Sequence, residues 1–134
     1  MELDEIKTKI SGILRKIEHF DKLKFIYIYG SSIYGKKTAR SDIDICLYYD
    51  IKDKRKLHKL LLRIIGVIPE KYDIQMFQML PLYVKKEIFK GKLIYAKDKG
   101  FVHDIAYKTI RDYEDFEPRY KHILFGRIGM EAEI

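Results

Sequence analysis

A chain of 134 residues with 47% hydrophobic side chains is long enough to close one core and too apolar to remain unfolded. Its formal charge of +7 favours an anionic ligand or partner, but the lysines are scattered and no basic block interleaved with aromatics marks a nucleic-acid groove. The single cysteine, Cys46, excludes an internal disulfide and a cysteine-rich metal site, and no apolar run is long enough to span a bilayer.

Taken in chain order, the apolar spacing predicts eight elements. Glu2 to His19 reads as a helix, with Leu3, Ile6, Ile10, Ile13, Ile17 and Phe20 on one stripe. Its acidic start is unlike a secretion leader, so a soluble, cytoplasmic protein is expected. Lys24 to Tyr29 is β-branched and aromatic and reads as a strand ended by Gly30. Ser31 to Tyr34 suits a short helical turn, and Ser41 to Tyr49 a second strand. Lys52 to Ile65 predicts a helix with Leu57, Leu60, Leu61, Ile64 and Ile65 inward and Gly66 as its stop. A third strand follows over Lys71 to Phe77. Pro81 then opens a short helix that ends near Gly91. Lys92 to Ala96 suits a fourth strand, and Phe101 to Tyr113 a last helix. From Glu117 onward no period is visible, so residues 1–116 are expected to form the domain and 117–134 a tail available to a partner. Helices packed on a small mixed sheet give an α/β (α+β) fold.

The chemistry concentrates in Gly30-Ser31-Ser32-Ile33-Tyr34-Gly35 and in Ser41-Asp42-Ile43-Asp44. A glycine at a strand end lets the backbone turn sharply and approach a ligand. A helical turn begun at Ser31 would offer free N–H groups and a hydroxyl to a phosphate. Asp42 and Asp44 are two apart on a strand, so they share a face with Cα atoms about 6.6 Å apart. Carboxylates so placed can share a pair of divalent ions, while Ile43, Ile45 and Leu47 anchor the other face. Asp73 alternates with Tyr72 and Ile74, and it reaches the same ions if its strand pairs with that of Asp42. Three carboxylates with triphosphate oxygens suit Mg²⁺.

Gly30-Ser31, ten residues, then Asp42-Ile43-Asp44 resembles the Gly-Ser-x10-Asp-x-Asp signature of the DNA polymerase β nucleotidyltransferase superfamily. In size and layout the chain is similar to the minimal nucleotidyltransferases, which pair with helical HEPN-domain proteins as toxin–antitoxin modules. The resemblance implies that Asp42, Asp44 and Asp73 hold two Mg²⁺ ions and that Asp73 also helps deprotonate the acceptor. It implies that Gly30 and Ser31 bind the triphosphate of ATP. It implies AMP transfer to a tyrosine hydroxyl of a HEPN toxin, a protein adenylyltransferase acting as antitoxin. Larger superfamily members add a domain that grips the acceptor, so here the acceptor is expected to dock from a partner.

Other readings stay open at this stage. The chain could be a non-catalytic antitoxin that blocks its partner by occlusion. It could be an enzyme acting on a small molecule, although a +7 chain suits a cationic substrate poorly. Lys36, Lys37 and Arg40 fit either a triphosphate contact or a charged loop, and Tyr29 either a core wall or the pocket lining. His19, His58, His103 and His122 lack ligand spacing, and Cys46 reads as an inert buried thiol.

Overall fold

The computed structural model describes residues 3–30 and 43–128, with side-chain surroundings up to residue 116. Its elements are α1 (Leu3–Arg15), β1 (Leu23–Tyr29), β2 (Ile43–Tyr49), α2 (Lys54–Val67), β3 (Tyr72–Met76), α3 (Leu82–Ile88), β4 (Lys92–Ala96) and α4 (Lys99–Ile128). The four strands form one mixed sheet in the order β3-β2-β1-β4. β1 runs antiparallel to β2 and β4, and β2 runs parallel to β3.

The central strands are covered on both faces, which is why Phe25-Ile26-Tyr27-Ile28 reads as an unbroken apolar run. One face packs under α1 and α2, where Ile10, Leu14, Leu57, Leu60 and Ile64 meet Ile26, Ile45, Leu47 and Met76. The other face carries Phe25, Tyr27, Cys46 and Phe77 against Ile88 of α3 and Val102 of α4. Phe25 and Phe77 meet edge to face there, with ring centroids 5.6 Å apart. No helix among the described residues is long and apolar enough to cross a membrane.

The order of elements matches the sequence expectation, but several boundaries and faces differ. α1 stops at Arg15 rather than His19, because the last turn tightens through bonds from Lys16 N to Ile13 O and from Ile17 N to Leu14 O. The chain then reverses at His19 with φ of 69°, which folds Ile17 and Phe20 back on the core. Leu3, expected inward, is exposed, while Leu14, outside the expected stripe, is buried.

α2 is capped by Asp53, whose carboxylate accepts from the amides of Arg55 and Lys56. It runs through Gly66 to Val67, and the next residue, Ile68, is extended at ψ 146°. The following Pro69 disfavours helical backbone in the residue before it, so proline rather than glycine sets the stop. Leu57, Leu60 and Ile64 face inward as expected, Leu61 is partly buried, and Ile65 points outward, 48% exposed. One extra residue of rotation separates Ile65 from the Leu57–Leu60–Ile64 stripe.

β3 gives way at Phe77 to a 3₁₀ turn over Phe77–Met79. α4 holds well past Tyr113, where the last helix was expected to end, and continues as far as Ile128. An established helix propagates without a continuing apolar stripe, which is the signal the sequence lacked there.

Candidate active site

Three strand ends meet at one end of the sheet. β1 finishes at Tyr29 where β2 begins, because the two are antiparallel, and Tyr29 stands opposite Asp44. β3 begins beside β2 in parallel, and Asp44 is matched to Asp73. Partners in register point to the same side of a sheet, so the two carboxylates share a face. Their Cα atoms lie about 4.8 Å apart, the usual spacing of neighbouring strands. That face is the one under α3 and α4, since Cys46 and Tyr48 continue along it from Asp44. Asp44 is half-buried and Asp73 exposed, so the pair opens outward at the strand ends.

Gly30 closes the other side of this corner. Its φ of 84° lies in the left-handed region, and a Cβ built on it would collide with Oδ2 of Asp44. Glycine is therefore demanded by the turn, and it also leaves the room that the Asp44 carboxylate occupies, from which a side chain would displace it.

Tyr29 is half-buried beside the pair. Burial, with added contributions from Cys46, Asp44 and Asp73, holds its phenol well above the usual tyrosine range. The phenol stays protonated and lies within electrostatic reach of both carboxylates. Cys46 is fully buried, and burial pushes its thiol up despite the opposing influence of Lys85, so it is inert as a nucleophile. Gln75 donates from Nε2 to Oδ1 of Asp73 at 3.3 Å.

Two facing carboxylates repel unless a cation joins them. The donor set here is hard oxygen without thiolate or imidazole, which fits Mg²⁺. Among the described residues no three His, Cys, Asp or Glu side chains converge. The third carboxylate expected from the sequence, Asp42, lies outside the described residues, as do Ser31, the turn over 31–34, and Lys36, Lys37 and Arg40. The structure thus brings Gly30, Asp44 and Asp73 together. Of the residues at this corner, Gln75 was not singled out by the sequence reading. Its signal was the two-residue period that puts it on the face of Asp73.

Comparison with known proteins identifies the family and the fold. Residues 9–100 match the family model described as polymerase beta, nucleotidyltransferase. A candidate protein adenylyltransferase of Methanocaldococcus jannaschii, MJ1547, is 36% identical over 103 residues, spanning 77% of this chain and 80% of its own. Among solved structures, a toxin–antitoxin complex with AMP-PNP contains a chain that superposes with a TM-score of 0.72 at 22% identity, over 92% of this chain and 98% of its own. A chain from the complex of tri-AMPylated Shewanella oneidensis HEPN toxin with MNT antitoxin superposes at 0.70 and 19% identity, over 96% and 100%. These two superpositions establish the fold.

Proposed function

The chain belongs to the polymerase beta nucleotidyltransferase family, and from that premise we propose that it transfers AMP from ATP to a tyrosine hydroxyl of a HEPN-domain partner, acting as a cytoplasmic antitoxin. The observation that carries the chemistry is the register of Asp44 with Asp73 beside the left-handed turn at Gly30. The protein acceptor is supported by MJ1547, and the HEPN partner by the solved complexes that share this fold.

In this reading Asp44 and Asp73, with Asp42, would hold two Mg²⁺ ions, which would supply the positive charge that the triphosphate and the departing pyrophosphate require. The Gly30 turn lets the backbone approach the phosphates without a side chain in the way, and the Ser31 hydroxyl adds a donor. Asp73, the more exposed carboxylate, takes the proton from the acceptor hydroxyl. The acceptor oxygen then forms a bond to the α-phosphorus as the bond to the bridging oxygen of pyrophosphate breaks. Tyr29, held neutral, walls the corner without adding charge to it. The segment from 117 onward is the partner-facing part of this arrangement.

The test uses two labels. With ATP, Mg²⁺ and the HEPN protein, label from the α-phosphate should appear on a toxin tyrosine and label from the γ-phosphate should not. Toxin neutralised with no covalent label on it would reject transfer and favour occlusion.

A further inference from the structure

Asp73 stands on an edge strand and is exposed, a setting that leaves a short carboxylate free to change rotamer. Gln75 lies two residues on, on the same face, and its Nε2 donates to Asp73 Oδ1 at 3.3 Å. Gln75 is half-buried, and its backbone is in register with the fully buried Cys46. Among the described residues, no lysine or arginine forms an ion pair with Asp73. The nearby Lys71 stacks over the Tyr72 ring, 5.3 Å from its centroid.

We propose that Gln75 is a positioning residue: it fixes the Asp73 carboxylate through one oxygen and leaves the other to face Asp44 and the reaction. This inference rests on the reading of Asp73 given above. A neutral amide suits the task because it orients the carboxylate without cancelling charge. A lysine at the same place would also hold the carboxylate, but it would neutralise half of the Asp44–Asp73 pair and repel the cation that the pair requires. Outer hydrogen bonds of this kind typically support metal affinity or activity by about 10–100-fold.

Two measurements test it. In the metal-free native protein, the side-chain amide resonances of Gln75 should shift in Asp73→Ala; unchanged resonances would overturn the contact. Gln75→Met keeps the length and removes the donor. It should weaken Mn²⁺ binding, followed by electron paramagnetic resonance with a non-hydrolysable ATP analogue, by about tenfold. Its kcat should fall by a similar factor at saturating metal, with the melting temperature of the metal-free protein unchanged. Native Mn²⁺ affinity and native kcat in Gln75→Met would reject the positioning role. If Asp73→Asn keeps full turnover, the reading of Asp73 itself fails; loss in Asp73→Asn beside a native-like Gln75→Met rejects only the inference about Gln75.

Discussion

Gly30 and Asp44 occupy one another's space: the carboxylate of Asp44 sits where a side chain on residue 30 would have to go. Gly30→Ala should therefore fail in two ways. The left-handed backbone at φ 84° costs a non-glycine residue about 1–2 kcal/mol, read as a lower urea midpoint. The displaced carboxylate should lower transfer about 100-fold, a loss comparable to other misplacements of a catalytic group. Transfer at the native rate would show that the Asp44 position is not needed.

The facing of Asp44 and Asp73 predicts a linkage between ion binding and folding. Mg²⁺ with ATP should raise the melting temperature of the native chain and leave the double variant Asp44→Asn/Asp73→Asn unmoved. Thermal melts with and without Mg²⁺ and ATP check both halves.

Tyr49 tests the energetics on the opposite face of the sheet. It is fully buried, and its hydroxyl has no hydrogen-bond partner among the described residues. Tyr49→Phe should leave stability unchanged or raise it by about 1 kcal/mol. Burial, and then the charge of Glu18, raises the phenol above its ordinary value of 10.0. A raised folded value means that the unfolded chain loses the proton first. The stabilisation is therefore complete below about pH 10 and declines as the pH rises further. Denaturant melts across that range should show a shallower alkaline decline in Tyr49→Phe than in the native chain.

Gly66 lies inside α2, and a Cβ there would meet nothing within 4 Å. Gly66→Ala should raise stability by about 1 kcal/mol, the helix-interior difference between the two residues. A drop in the urea midpoint would mean that Gly66 serves as the helix stop after all.

How much of this was legible follows from where the signals were strong. The strands were readable because Phe25–Ile28 and Ile43–Leu47 join β-branched and aromatic residues between turn signals, and the fourth strand, Lys92–Ala96, was placed residue for residue. The shared face of Asp44 and Asp73 follows from two-residue alternation once β2 and β3 pair, but the parallel register that brings them level is a tertiary fact. Helix ends were harder. Gly66 and Pro69 compete as stops only three residues apart, and the steric effect of proline on Ile68 decides. The reversal at His19 and the length of α4 left no trace in apolar spacing. Gln75 escaped notice because a lone glutamine on a strand means nothing until its neighbour's role is known.

The most direct test measures AMP transfer by the native chain, Asp44→Asn and Asp73→Asn with ATP labelled at the α-phosphate, Mg²⁺ and the HEPN partner. The account predicts covalent label on the partner with the native chain and a loss of at least about 100-fold in each variant, although both remain folded by circular dichroism. Undiminished labelling by either folded variant would contradict the assignment of the reaction to the Asp44–Asp73 corner.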